Sequence, residues 1–438
     1  MLPRVLISPM RRFAFLLLLC GLCAAQSPTP KQPAKAAPVG WKAIHDSALV
    51  VDTHADTPQP WLDKNINAAD PDSKLMVTIP AAKAGNLGAE FFSIWVDPVK
   101  FKGHYPDRTL ALIDAVYQQV QRNPKDMMFA TSVKDIYAAR REHKLASLMG
   151  IEGGHSIAND LGLLRDYYRL GVRYMTLTWS NTNDWADSSG DVDDKNIQHH
   201  DGLTDFGRDV VREMNRIGMI VDISHTSDRT FYKTLVVARA PVIASHSSSR
   251  ALTNVPRNMT DDMLRALNRN GGVAMVNFNC GFISNEYAAA EKKLEAEDHS
   301  IADLKKKAAE PGSNITEADI QKAEDAFYAS IPRPPLSNLI DHIDHMVKIA
   351  GIDHVGLGSD FDGVSCTPEG IDSAADLPKI TQALHDRGYN AEQIKKILGG
   401  NILHVFSEVE KTAAQLQAES PENKDTRHEV KLDAQPKK

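Results

Sequence analysis

Short apolar runs, rich in Val, Ile and Phe, recur at residues 48–56, 87–96, 145–152, 172–179, 218–225, 241–246, 271–278 and 353–360. Runs of that length, bounded by turn residues, read as buried β-strands. Most intervals between them carry the 3.6-residue periodicity of amphipathic helices, as from Arg108 to Arg122, Ser132 to Glu142, Asp160 to Leu170, Phe206 to Ile217 and Asp261 to Leu267. Eight strands alternating with helices predict an α/β protein with a (β/α)8 TIM barrel. An open doubly wound sheet shares the alternation but gathers its site at one switch point between two or three strands. Here residues able to bind a metal or move a proton end strands one, three, five, six and eight: His54 with Asp56, Glu152, His225, His246 and Asp360. A closed ring brings those five ends together.

Outside the alternating body the pattern changes. Arg4, Arg11 and Arg12 precede an apolar run from Phe13 to Leu19, and Cys23-Ala24-Ala25 supplies the small residues a signal peptidase reads, so residues 1–25 are expected to be a secretory signal. That places the mature chain in the periplasm or outside the cell. Cys20 and Cys23 each follow a Leu, where lipidation calls for a small residue, so membrane contact through a lipid anchor is disfavoured. Residues 26–40, rich in Pro, Lys and Ala, read as a flexible linker, and the folded domain is expected over 41–411. Within it, 286–329 is long, charged and Ala-rich: a helical insertion between the last two strands, broken at Pro311-Gly312. It reads as a solvated helical hairpin, with a lid or a homodimer contact as the other reading. Residues 412–438 lose apolar periodicity and are expected to form a loose, charged tail.

The net charge of −7, without a basic block in the body of the chain, excludes nucleic acid as a partner, because neutralising phosphates needs clustered Lys and Arg. Once the signal is removed only Cys280 and Cys366 remain, so no disulfide framework holds the fold, although one bridge between them stays open.

The strand-end residues carry the chemistry. On a strand, side chains at i and i+2 point the same way, so His54 and Asp56 can reach one ion together. Taken alone, Asp56 caps a turn and His54 packs. Glu152 precedes Gly153-Gly154, whose freedom lets the chain turn sharply; alone it caps a helix, but among other ligands its two oxygens can bridge two divalent ions. His225 and His246 end successive strands alike. His and carboxylate without thiolate favour Zn, Mn, Co or Fe. Of the two carboxylates in Gly358-Ser359-Asp360-Phe361-Asp362-Gly363, Asp360 is read as the proton-transfer group and Asp362 as a brace for the following turn. His155 reads as a packing or supporting residue, and His199, His200, His342, His345 and His354 as surface or packing histidines.

Asp52-Thr53-His54-Ala55-Asp56, Ile151-Glu152-Gly153-Gly154-His155-Ser156, Asp222-Ile223-Ser224-His225, Pro241-Val242-Ile243-Ala244-Ser245-His246 and the Asp360 segment together resemble the membrane dipeptidase family, from about Ala48 to Phe406. The resemblance implies an amidohydrolase-type barrel, a zinc metallopeptidase, and a dipeptide substrate, often with a D-residue tolerated at its C-terminal position. It further implies that His54, Asp56 and Glu152 hold one Zn2+, that the bridging Glu152 with His225 and His246 holds the other, and that Asp360 is the acid/base. Arg257 matches the family residue that holds the substrate carboxylate, with Arg250 as its rival. One position departs. The family usually ends the fourth strand in Leu-Thr-His, and that His polarises the scissile carbonyl; this chain reads Leu177-Thr178-Trp179. An indole donates one hydrogen bond but does not become a cation, so Trp179 replaces part of that role at most. Asn181, Asn183 and Asp184 are the nearby candidates to compensate. Two other readings remain open: a related two-metal hydrolase of N-acyl amino acids or lactones, and a metal-binding protein without turnover.

Overall fold

The computed structural model describes residues 40–419 except 309, 311 and 312. The expected signal, nearly all of the linker, the Pro311-Gly312 break and the far end of the tail lie outside the described residues. Strands β1 (Val50–Ala55), β2 (Leu87–Trp95), β3 (Met127–Phe129), β4 (Leu145–Glu152), β5 (Val172–Thr176), β6 (Ile220–Asp222), β7 (Ile243–Ala244), β8 (Val273–Val276) and β9 (Val355–Leu357) form one sheet, with every pairing parallel. Its order is β1-β2-β4-β5-β6-β7-β8-β9. The ends meet: the Asp56 amide donates to the Phe361 carbonyl at 2.8 Å and the Asp360 amide to the His54 carbonyl at 3.0 Å. The Thr53 hydroxyl also reaches the Leu357 carbonyl at 3.1 Å. The sheet is thus the nearly closed TIM barrel expected from the alternation.

One strand had no apolar run to announce it. The short β3 pairs with the start of β4, Met127 opposite Leu145 through Phe129 opposite Ser147, on the edge that β5 takes over from Met149 onward. Several strands are also shorter than their apolar runs. His225 and Asp360 stand beyond β6 and β9, with left-handed φ of 63° and 64°, so the chain has left strand geometry where these side chains turn into the mouth.

Two apolar layers hold the barrel. One lies between strands and surrounding helices. The other fills the N-terminal end of the barrel with Val51, Phe91, Leu148, Tyr174, Ile220, Ile243 and Met275, against Ile402, Leu403, Phe406 and Val409. Those last residues belong to the helix Asn401–Glu419, which runs past the boundary expected at residue 412. Buried Ala413 and a 2.8 Å hydrogen bond from Gln417 to the Arg216 carbonyl hold that stretch to the domain, contacts that apolar periodicity does not register. The insertion comprises helices Asn285–Glu297, Ser300–Ala308 and Glu317–Tyr328. Cys280, in the short helix Cys280–Ile283 just before the insertion, is joined by a disulfide to Cys366 in the segment that follows β9, and Tyr287 and Ile331 pack around the bond.

Glu90 on β2 is fully buried and neither carboxyl oxygen has a hydrogen-bond partner. Burial, then the neighbouring carboxylates of Asp52 and Asp362, push its pKa well above the usual 4.5. The folded chain therefore binds a proton here that the unfolded chain releases above pH 4.5, so stability falls as pH rises from that value toward the raised pKa. Glu90→Gln removes the titration. The difference in stability between variant and parent should move in favour of the variant by about 1.4 kcal/mol per pH unit above about pH 4.5. Urea unfolding at pH 4, 6 and 8 checks this; a gap independent of pH contradicts it.

Candidate metal centre

The site is built at the C-terminal mouth of the barrel, where strand-end side chains converge. Glu152, the last residue of β4, lies at its middle. Its Oε2 is 3.2 Å from His54 Nε2 and accepts from the Ser93 hydroxyl at 3.2 Å. Its Oε1 is 2.8 Å from His225 Nε2 and 3.5 Å from His246 Nε2. One carboxylate thus presents an oxygen to each of two donor groups: His54 with Asp56, whose Oδ2 is 3.9 Å from His54 Nε2, and His225 with His246, whose Nε2 atoms are 3.0 Å apart. Asp360 Oδ1 lies 4.0 Å from His54 Nε2, and its Oδ2 accepts from Asn277 Nδ2 at 2.9 Å. In each of three sets, His54-Asp56-Glu152, Glu152-His225-His246 and His54-His246-Asp360, the ligand atoms lie within 4.8 Å of one another.

Two supporting networks decide where the histidine protons sit. Tyr174 donates its hydroxyl proton to the Thr53 carbonyl at 3.1 Å and so accepts from His54 Nδ1, 2.7 Å away. Ser245 donates to Asp222 Oδ2 at 2.6 Å and so accepts from His246 Nδ1 at 2.7 Å. Both rings are left with a lone pair on the Nε2 that faces the centre, the tautomer a metal ligand requires. His54 Nε2 faces Glu152 Oε2, and His246 Nε2 faces Glu152 Oε1 and His225 Nε2. His54 Nε2 and Asp56 Oδ1 are buried without a hydrogen-bond partner. Such a collection of acceptors is stable only around positive charge, and divalent ions fit it.

The same excess of negative charge shows in His54: burial would lower its pKa, but Glu152, Asp56 and Asp360 outweigh it and push it up to about 10, so that without an ion a proton on Nε2 takes the place of the cation. Burial raises Asp56 well above its usual range, with Glu152 repulsion adding to it. On the other side, burial and then the Arg257 cation pull His225 down to about 4.

The structure brings His54, Asp56, Glu152, His225, His246 and Asp360 into one cluster. Asp362 is elsewhere, accepting from the Thr57 hydroxyl and the Met76 amide, both at 2.6 Å. His155 donates from Nε2 to the Val96 carbonyl at 2.8 Å. The two arginines differ. Arg250 is bound to Asp228 at 2.8 and 2.7 Å and to the Pro256 and Asn258 carbonyls. Arg257 donates Nη1 to Ser247 Oγ at 2.7 Å, while its Nε and Nη2 are buried without a partner. Trp179 is half-buried with its ring 6.5 Å from that of His225. Of its neighbours, Asn183 donates to the Leu177 carbonyl at 2.8 Å and Asp184 accepts from Asn159 at 2.6 Å, so both are engaged within the surface loops. Sequence reasoning did not single out Tyr174, Ser245, Ser93 or Asn277. Ser93, Tyr174 and Asn277 belong to runs that end in no predicted ligand, and Ser245 only precedes His246, so nothing local to the sequence marks them.

The profile of the family described as "Membrane dipeptidase (Peptidase family M19)" matches residues 40–420. Among solved structures, the chain is similar to the probable dipeptidase PvdM from Pseudomonas aeruginosa, at 25% identity and a TM-score of 0.72, covering 85% of this chain and 98% of that one. It shares its fold with a metallopeptidase from Rhodobacter sphaeroides liganded with a phosphinate mimic of the dipeptide L-Ala-D-Ala, at 21% identity and a TM-score of 0.65, covering 83% and 99%. An amidohydrolase from Pseudomonas aeruginosa has the same fold, at 20% identity and a TM-score of 0.63, covering 85% and 99%. The extent of the profile match places this chain in the membrane dipeptidase family of metal-dependent peptide-bond hydrolases.

Proposed function

We propose that this chain is an exported dipeptidase that works with two zinc ions and hydrolyses L-L and L-D dipeptides to free amino acids. The observation that carries this is the division of Glu152, one oxygen toward His54 and Asp56 and the other toward His225 and His246. Divalent ions in such donor sets lower the pKa of a water and polarise a carbonyl oxygen. The chain's own groups supply the rest. Tyr174 and Ser245 hold the His54 and His246 rings with Nε2 toward the centre. Asp360, fixed by Asn277, is placed to take the proton from the attacking water and return it to the leaving amine nitrogen. Arg257 keeps two N–H groups for the substrate's terminal carboxylate, which restricts the site to short peptides with a free C-terminus. Export is the reading of residues 1–25; no described helix is long and apolar enough to cross a membrane.

Metal analysis of the purified mature chain should find two zinc ions per chain. Chelation should abolish hydrolysis of L-L and L-D dipeptides, and zinc should restore it. A single ion per chain would remove the bridging role of Glu152. Two ions with hydrolysis of N-acyl amino acids or lactones, but of no dipeptide, would keep the centre and replace the substrate.

A further inference from the structure

Two indoles stand at the mouth on the side of the ring away from Arg257. On β2, Ser93 faces inward, since its hydroxyl donates to Glu152 Oε2 at 3.2 Å. Trp95, two residues further on, shares that face, and it pairs in register with Glu152. The Trp179 ring, just after β5, lies 4.9 Å from that of Trp95, inclined at 55°, and both residues are only half-buried. The ring order sets β2, β4 and β5 on one side of the mouth and β7, β8 and β9 on the other. Arg257 belongs to the second side: it is bonded to Ser247, three residues beyond β7, and lies over the Phe282 ring at 5.6 Å.

A dipeptide anchored by its carboxylate on Arg257 and crossing the ligand cluster directs its amino-side residue toward the indoles. We propose that Trp95 and Trp179 form an aromatic platform for the side chain of that residue and select large apolar side chains there. This rests on the dipeptidase reading. The chemistry follows from the rings themselves: two inclined indoles present largely apolar faces, against which a phenyl ring packs in the tilted arrangement aromatic rings prefer.

The test compares kcat/KM of the metal-loaded enzyme on Phe-Ala and Gly-Ala. The parent should prefer Phe-Ala by roughly tenfold or more, the range that burial of one aromatic side chain supplies. Trp95→Ala and Trp179→Ala should each reduce that ratio by about tenfold, while Trp179→Phe, which keeps an aromatic face, should retain most of it. Where Trp95→Ala or Trp179→Ala loses its metal or melts below the assay temperature, Trp95→Leu or Trp179→Leu carries the comparison. A parent ratio near one, or a ratio unchanged in both truncated variants, overturns the platform and leaves the dipeptidase reading standing. Hydrolysis of neither peptide by the two-metal enzyme withdraws that reading, and the platform with it.

Discussion

Asp360→Asn is expected to keep its metal and lose turnover, with kcat reduced by about 10²–10⁴-fold. Asn matches Asp in size and can still accept from Asn277, so the ligand cluster should persist. What disappears is a group able to take up a proton and give it back. The position favours that task. Burial raises the Asp360 pKa, the His54 side chain lowers it and Glu152 raises it again, with a net upward shift. Its backbone holds a left-handed φ of 64° at the end of β9, and Asn277 anchors Oδ2 and leaves Oδ1 turned to His54. Steady-state kinetics with parallel metal analysis check the prediction. A variant with full metal and kcat within tenfold of the parent would remove Asp360 from the chemistry.

The second large effect is expected at Arg257. Burial pulls its pKa down to about 10, so it remains a cation at neutral pH, with Nε and Nη2 free of protein partners. Losing one member of a buried, hydrogen-bonded charge pair costs about 2–5 kcal/mol. Arg257→Met should therefore lower kcat/KM for free dipeptides by roughly thirtyfold or more. The same substitution should change little for C-terminally amidated dipeptides, which the parent enzyme is itself expected to hydrolyse poorly. Arg250→Met is the comparison, because Arg250 is bound to Asp228 and to backbone carbonyls. An equal fall for free and amidated substrates in Arg257→Met would mean that Arg257 supports the fold instead of the carboxylate.

By itself the sequence determined the order of strands and helices, the barrel class and which rare side chains stand at the strand ends. Those features are local: periodicity records which way side chains point, and His or carboxylate residues closing an apolar run are conspicuous because they interrupt it. The tertiary structure decided how those side chains meet. Stagger between strands is not written in either strand alone, and the register shifts within the β1–β2 and β4–β5 pairings are invisible before the ring closes. That closure sets the Tyr174 hydroxyl against His54, Ser245 between His246 and Asp222, and the Trp95 ring against Trp179. It also separates two arginines seven residues apart, turning Arg250 to Asp228 and leaving Arg257 with two unpartnered N–H groups. Periodicity could not foresee the short β3, the helix continued to Glu419 or the bond between Cys280 and Cys366, because each depends on contacts between segments distant along the chain.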